Sequence, residues 1–137
     1  MLEPKVQLQQ LRVNGDHRGS LISLEGGDDF GFEISRVYYI FGTKNGVDRG
    51  FHAHKKLRQK LIAVNGSCTI DVEYKNKNES YTLGNPYEAL SIFGPVWRVM
   101  KNFSNDCVLL VITDLIYDEE EYIRDYDEFK KLNEVWL

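Results

Sequence analysis

Residues 50–66 of the chain read GFHAHKKLRQKLIAVNG, and this stretch decides the fold. One residue separates His52 from His54, Gln59 lies five residues after His54, and Gly66 lies seven residues after Gln59. Alternate side chains of a β-strand point to the same face, so a strand here projects both imidazoles together. Such a pair can bind a metal ion, transfer protons or be part of a core.

The composition indicates a single domain over residues 1–137. The 137 residues are 42% hydrophobic and 12% aromatic, which is enough to form a substantial core. A net charge of −4 and a pI near 5.4 argue against a nucleic-acid-binding protein. No apolar run approaches the roughly 18 residues of a membrane span. We therefore expect neither nucleic acid nor a membrane as a partner.

The expected location is the cytoplasm. The first residues, MLEPKVQLQQL, lack the basic and apolar regions of a signal peptide. Cys68 and Cys107 each lie in an apolar run with no histidine or basic residue beside them. This pattern predicts buried free thiols rather than a disulfide or a catalytic cysteine.

Most of the chain has the pattern of short β-strands. The segments VQLQQLRV (6–13), ISRVYYIFGT (34–43) and CVLLVITDLI (107–116) are rich in β-branched, aromatic and alternating apolar residues. KLIAVNGSCTIDVEY (60–74) predicts two strands around Asn65-Gly66, which is a hairpin signal. Short strands at this spacing predict an all-β, antiparallel sandwich or barrel.

The C-terminal stretch YDEEEYIRDYDEFKKLNEVWL (117–137) is rich in helix-forming residues instead. It predicts one helix, or two short ones, packed on the β domain, with Tyr122, Tyr126 and Phe129 on one face. Asp118 is a candidate N-cap with Glu121 three residues later. The acidic run 118–121 is expected to be a solvated helix start.

Two motifs together resemble the cupin pattern. The first cupin motif is G-x-H-x-H, four residues, an acid, six residues and Gly; here the spacing is kept, but Gln59 replaces the acid. The second ends with a Gly-Pro turn, a histidine and, after three residues, Asn. Here Gly94-Pro95 leads to Arg98 and then to Asn102, so an arginine replaces the histidine. The pattern predicts a small cupin, or jelly-roll, barrel with a short C-terminal helical segment.

The two substitutions change the chemistry expected of the site. A cupin metal is usually held by three histidines and one glutamate, whereas this chain offers His52, His54, a neutral amide and a permanent cation. A guanidinium in that position repels a divalent ion, so we expect no metal. The imidazoles then serve in proton transfer, because histidine titrates near neutral pH, and Arg98 stabilises an enolate or binds an anion.

Nearly the whole chain resembles the nucleotide-sugar 3,4-ketoisomerases, which are cupins that act on dTDP-4-keto-6-deoxyglucose. The most specific matches are RGFHAHKKL (49–57) and the tail motif YDEEEYIRDYDEF (117–129). Further matches are DHRGSL (16–21), ISRVYYIF (34–41), NGSC (65–68), GPVW (94–97) and CVLLV (107–111).

The resemblance implies an isomerase that moves the keto group from C4 to C3 through an enediolate, without a redox cofactor or a metal. His52 and His54 are the implied catalytic residues, and His54 is the favoured base for the C3 proton. Two arginines match positions near the hexose, where the configuration of C4 is decided, but they leave the gluco or galacto outcome open. They are Arg18 and Arg98.

The remaining substrate-binding candidates follow the same resemblance. Arg49 is expected to contact the diphosphate, Tyr38 and Gln59 to line the pocket, and Trp97 to stack on the sugar or the base. Tyr39, on the other face of its strand from Tyr38, is expected to be a packing residue. The product normally passes to an aminotransferase and an acyltransferase that make an acylated amino sugar for surface polysaccharide.

The family also implies a homodimer in which the N-terminal strand is exchanged between subunits. The alternating strand 6–13 suits that role as an edge partner. Three other functions stay open from the residues: a related sugar-nucleotide 3,5-epimerase, a non-catalytic sugar-nucleotide-binding cupin, and a metal-dependent dioxygenase-type cupin.

Overall fold

The computed structural model describes residues 1–137, which form two facing five-stranded antiparallel sheets. Strands are numbered in chain order. The first sheet contains, in spatial order, β1 (Lys5–Gln10), β9 (Glu88–Phe93), β6 (Arg58–Asn65), β11 (Val108–Thr113) and β4 (Arg36–Ile40). The second contains β12 (Tyr122–Ile123), β5 (Arg49–His54), β10 (Trp97–Lys101), β7 (Cys68–Tyr74) and β8 (Lys77–Leu83). A separate hairpin joins β2 (Asn14–Asp16) to β3 (Gly19–Leu21).

The core lies between the two sheets and follows from strict alternation along their strands. In β7, Cys68, Ile70 and Val72 are buried while the residues between them are partly exposed. They belong to one cluster with Leu61 of β6 and Leu109 of β11. Burying one such aliphatic side chain contributes roughly 1.5–3 kcal/mol, so this interface is the main source of stability. The all-β jelly-roll prediction is confirmed.

The predicted hairpin at Asn65-Gly66 is wrong, because β6 and β7 belong to different sheets. β6 pairs with β9 and β11, whereas β7 pairs with β8 and β10. The corner is held by Ser67 and Ser104: the Ser67 N–H donates to Ser104 Oγ at 2.9 Å, and the Ser104 N–H donates to Ser67 O at 2.9 Å. A turn dipeptide between two strands fixes a reversal of the chain but not the sheet that the second strand joins.

The C-terminal stretch contains one short α-helix, α1 (Tyr126–Asn133), and two 3-10 turns, Glu119–Glu121 and Glu134–Trp136. Asp118 caps the first 3-10 turn by accepting from the Glu120 N–H, and Asp125 caps α1. Phe129 of α1 is fully buried against Ala53 and Ile123. The helical prediction is therefore confirmed in outline, and no helix is long and apolar enough to span a membrane.

Two details of that prediction are wrong. Tyr122 lies in β12 rather than on a helix face, because the first 3-10 turn ends at Glu121 and the backbone becomes extended at Tyr122. Glu121 is only 7% exposed, so the acidic run is not wholly solvated.

We predict that Gly66→Ala destabilises the fold by roughly 2 kcal/mol or more, because Gly66 has a φ of +64° and an added Cβ lies 2.8 Å from Cys107 Cα. Chemical denaturation of the two proteins measures the loss. Gly84→Ala is the matched control, since its Cβ meets nothing closer than 3.9 Å. Equal stability of the Gly66 variant and the wild type would contradict this account of the corner.

Candidate active site

A cleft of about 730 Å³ opens where the two sheets separate, between edge strand β4 and the β5–β12 edge. β4 contributes Tyr38 and β5 contributes Arg49 and His52, while Tyr122 and Arg124 come from the C-terminal tail. A separation of the sheets at this edge gives a ligand access to inward-facing residues of β5 without breaking a strand pairing.

The two histidines lie next to each other at the inner end of this cleft. Their ring centroids are 5.0 Å apart and their planes are nearly perpendicular, at 86°. His52 lines the cleft, whereas His54 lies deeper and is only 4% exposed. The outward side chain between them, Ala53, is fully buried beneath α1. The alternation along β5 thus places both imidazoles inward, and only His52 borders the open space.

Arg98 lies beside the histidines, because β10 pairs with β5 at Arg98 and His52. Its side chain is 2% exposed, and its Nε and Nη2 donate to Val96 O at 3.3 and 3.1 Å. It takes part in none of the salt bridges of the structure. Burial lowers the pKa of Arg98 to about 10, which leaves it a cation at neutral pH.

The histidines are neutral at neutral pH. Burial first, and then the positive charge of Arg98, lower the pKa of His52 from 6.5 to about 4. The same two causes lower the pKa of His54 further still. This differs from the expectation of titration near neutral pH, since an isolated imidazole has neither the burial nor the adjacent cation. Both rings are therefore available as proton acceptors.

Tyr38 and Gln59 face the same interior from the first sheet. Burial raises the pKa of the Tyr38 hydroxyl, and the Arg36 guanidinium lies 4.5 Å above its ring. Gln59 is 2% exposed, and its Nε2 has no hydrogen-bond partner, as is also true of His54 Nδ1. A bound molecule or water that reaches this depth can satisfy both atoms.

The donor set of the interior does not fit a metal ion. No group of three or more His, Cys, Asp or Glu side chains is close enough together to hold one. The Arg98 guanidinium beside the imidazoles repels a divalent cation and has no electron pair to donate, and Gln59 offers only a neutral amide oxygen where the cupin pattern has a carboxylate.

Of the six expected binding residues, Tyr38 and Arg49 border the cleft and Gln59 and Arg98 are buried in the interior, while Arg18 and Trp97 lie elsewhere. Trp97 points to the opposite face of β10 from Arg98 and packs beneath α1, 5.7 Å from Phe129 and 5.3 Å from Tyr126 between ring centroids. The expectation that Trp97 stacks on the sugar or base is therefore corrected: it is a partly buried residue that packs against the helix. Arg18 lies in the β2–β3 turn with a side chain 79% exposed, bound to Asp16.

The prediction that Tyr39 is a packing residue is also wrong. It is 61% exposed instead of packed, and it borders the cleft beside Phe41, 5.9 Å away between ring centroids. No element covers this face of edge strand β4 in a single chain.

Phe51 is a cleft residue that the strand pattern did not predict. Residues His52 and Gly50 oppose Arg98 and Val99, so Phe51 is the extra residue of a β-bulge, with a φ of +58°. A bulky residue with positive φ is uncommon and points to a functional constraint. The bulge turns the Phe51 side chain into the cleft, where it is 52% exposed. Gly50, directly before it, was the available signal.

Comparisons with known proteins give the family. The family model FdtA, described as WxcM-like, C-terminal, matches residues 4–134. A TDP-4-oxo-6-deoxy-alpha-D-glucose-3,4-oxoisomerase of Aneurinibacillus thermoaerophilus is 48% identical over 116 residues, which is 85% of this chain and 84% of the relative. The chain belongs to the sugar 3,4-ketoisomerase family.

Solved structures of ketoisomerases agree with this placement. A histidine-to-asparagine mutant of the 3,4-ketoisomerase QdtA from Thermoanaerobacterium thermosaccharolyticum, in complex with TDP-4-keto-6-deoxyglucose, superposes with a TM-score of 0.92 at 38% identity, covering 95% of this chain and 94% of that one. The TDP-quinovose 3,4-ketoisomerase WlaRB from Campylobacter jejuni has a TM-score of 0.88 at 46% identity, covering 92% and 97%.

We predict that Arg98→Met raises the pKa of His52 from about 4 toward 6.5, because it removes the cation that opposes protonation and leaves a side chain of similar length. Histidine side-chain NMR across a pH titration measures this directly. His17 lies in the exposed β2–β3 turn, so its side-chain signal serves as an internal reference. An unchanged His52 titration would show that Arg98 does not act on the pair.

Proposed function

We propose that this protein is a dTDP-4-keto-6-deoxyglucose 3,4-ketoisomerase that needs neither a metal nor a redox cofactor. The observation that carries the proposal is a neutral imidazole, His52, at the border of an open cleft, with a second imidazole and a buried guanidinium behind it. A relative 48% identical to this chain has the corresponding name. The buried free thiols Cys68 and Cys107 support a cytoplasmic location.

In the proposed reaction His52 removes the proton from C3. The electron pair of that C–H bond forms the C3=C4 double bond, and the C4 carbonyl oxygen becomes the enediolate oxygen. The C4 oxygen then takes up a proton and becomes a hydroxyl, while the C3 hydroxyl loses its proton as C3 becomes the ketone. The electron pair of the C3=C4 bond takes up a proton at C4. We assign the C3 proton to His52 rather than to His54, because His52 borders the cleft and His54 lies behind it. His54 relays protons between the substrate oxygens on C3 and C4 and the solvent.

Arg98 supplies the electrostatic part of the reaction. A base with a lowered pKa abstracts a carbon-bound proton only if the product anion is stabilised as it forms. The buried guanidinium has only one carbonyl, Val96 O, as a hydrogen-bond partner, so donors are left for the enediolate oxygen. The same lowered pKa makes protonated His52 a stronger acid than an ordinary imidazolium, so it exchanges its proton readily.

The outer part of the cleft suits the nucleotide. Arg49 borders it and is the proposed contact of the diphosphate, with Arg36 and Arg124 nearby. Tyr38 borders the inner part beside the hexose, and Gln59 is buried in the interior. The exposed aromatic side chains Tyr39 and Phe51 offer the flat apolar surface that we expected from Trp97.

The first test is an NMR time course with dTDP-4-keto-6-deoxyglucose in D₂O, with and without EDTA. We expect a 3-keto product with deuterium at C4 and no effect of EDTA; the coupling constants at C4 give its configuration. Deuterium at C3 and C5 with the ketone still at C4 would indicate an epimerase. Line broadening of the nucleotide without conversion would indicate a binding protein, and loss of activity with EDTA would refute the metal-free mechanism.

The two histidines are tested separately. His52→Asn and His54→Asn should each lower kcat by about a hundredfold or more, the usual scale for acid–base groups. Only His52→Asn should abolish the exchange of the substrate C3 proton with solvent, because His52 makes the first contact with that proton. TDP affinity, measured by calorimetry, should change little in both. Retained C3 exchange in His52→Asn would return the base role to His54.

We further propose a homodimer with exchange of strand β1. Within one chain β1 pairs with β9 in six register positions from Lys5–Phe93 to Gln10–Glu88, and a second copy can provide the same pairing. An apolar groove of about 600 Å³ on the outer face of the first sheet, lined by Val13, Ile22, Val64 and Tyr87 among others, supports a protein partner there. In this dimer the exposed β2–β3 turn extends Arg18 toward the partner's cleft.

Complementation tests the dimer and the role of Arg18 together. Differently tagged Arg18→Ala and His52→Asn chains, each with low activity alone, are co-expressed and the mixed dimer is isolated with both tags. If Arg18 acts on the partner's cleft, one intact site forms and activity returns. An inactive mixed dimer would place Arg18 in its own chain's site, and a monomer in sedimentation experiments would refute the dimer.

A further inference from the structure

The tail motif supplies no proton-transfer group to the reaction described above, although it lies against the catalytic strand. β12 pairs with the end of β5, with Tyr122 opposite His54 and Ile123 opposite Ala53. The tail is thus the outermost strand of the second sheet at the edge where the cleft opens. Its Tyr122 lines the cleft together with His52.

Glu121 fixes the turn that follows His54. One of its carboxylate oxygens, Oε1, accepts hydrogen bonds from the backbone N–H groups of Lys56 and Leu57, the second at 2.7 Å. The Lys55 N–H donates to the Glu121 backbone oxygen at 3.1 Å. Three consecutive N–H groups after the catalytic strand therefore end on one residue of the tail, and that residue is buried.

Tyr122 contacts both imidazoles. Its ring centroid lies 4.4 Å from that of His54 and 5.1 Å from that of His52. His54 Nδ1 has no hydrogen-bond partner, so no polar group of the protein fixes the orientation of that ring through this atom. On the outer side, the Arg124 guanidinium lies 4.3 Å above the Tyr122 ring and is bound to Glu119.

We propose that Tyr122 and Glu121 are positioning residues of the isomerase: Glu121 holds the turn 55–57 in place, and the Tyr122 ring is the wall that orients both imidazoles. In most enzymes a carboxylate or carbonyl orients a catalytic histidine through a hydrogen bond. Here aromatic packing on a clamped strand takes that part for His54, whose Nδ1 has no protein partner. For His52 it adds to a hydrogen bond with the backbone of Gly50. The inference rests on the proposed function, since it assigns the tail to the same site.

The chain offers matched variants for a test. Glu121→Ala removes the acceptor, Glu121→Gln keeps an oxygen in its place, and Glu120→Gln alters the neighbouring exposed glutamate. Tyr122→Leu removes the aromatic wall, whereas Tyr122→Phe keeps the ring and removes only the hydroxyl. Thermal unfolding identifies the variants that are folded. If Glu121→Ala does not fold, the comparison of Tyr122→Leu with Tyr122→Phe still tests the positioning role.

We expect Glu121→Ala and Tyr122→Leu to lower kcat by about 10- to 100-fold with little change in KM, the scale of a small misplacement of catalytic groups. Glu121→Gln, Tyr122→Phe and Glu120→Gln should stay within a few-fold of the wild type. Nuclear Overhauser effects between residue 122 and the rings of His52 and His54 provide a readout that does not depend on turnover; they should persist in Tyr122→Phe.

The outcomes separate the two levels of the proposal. A wild-type protein without isomerase activity would refute the proposed function, while the Overhauser contacts would still report the wall. Folded Tyr122→Leu with wild-type kcat would refute the positioning role even if the isomerase is confirmed. Glu121→Ala could also lose stability and kcat together and show a changed KM. If Glu121→Gln does not restore them, Glu121 has only a structural role.

Discussion

The site depends on one buried charge, the guanidinium of Arg98. It is 2% exposed, forms no salt bridge, and uses two of its N–H groups on Val96 O. A charge in such a position costs several kcal/mol of folding free energy unless it is compensated. This cost is explained by the role of the cation next to His52. It opposes protonation of the imidazoles and can stabilise the negative charge of an enediolate.

The fold places Arg98 there through the register of two strands. β10 pairs with β5 so that Arg98 faces His52, and the β-bulge at Phe51 follows immediately. Gly50 permits this bulge: it has a φ of +98°, and a Cβ at this position lies 2.9 Å from the Arg98 backbone oxygen. Beyond the bulge, the strand returns to regular alternation and carries both histidines inward. The open edge next to β4 then exposes His52 and keeps His54 covered.

The sequence predicted what depends on local spacing. The two cupin motifs located His52, His54, Gln59 and Arg98, and alternation predicted that the histidines share a face. What it could not predict depends on the partners of a strand. Asn65-Gly66 has a hairpin signal, but the second strand joins the opposite sheet. Trp97 is next to Arg98 in sequence and on the other face of the strand, beneath a helix whose docking no local pattern specifies.

In the tail, too, local sequence failed to predict burial, here of a charged residue. A run of acids reads as a solvated helix start, yet Glu121 is buried because the backbone N–H groups of residues 55–57 need an acceptor. Their need arises from a turn more than sixty residues earlier in the chain. Long-range demands of this kind also decide the pKa of the histidines, which the residue type alone places near 6.5.

The central claim is that burial, together with the charge of Arg98, keeps the catalytic base neutral far below the usual pKa of histidine. The pH dependence of kcat/KM tests it most directly. This profile reports the free enzyme. His52 must be neutral to accept a proton, so a lowered pKa moves the loss of activity to lower pH. The account predicts a profile that does not decline between about pH 7 and pH 5 and an acidic limb centred near 4. An acidic limb centred near 6.5, the ordinary value of histidine, would contradict it.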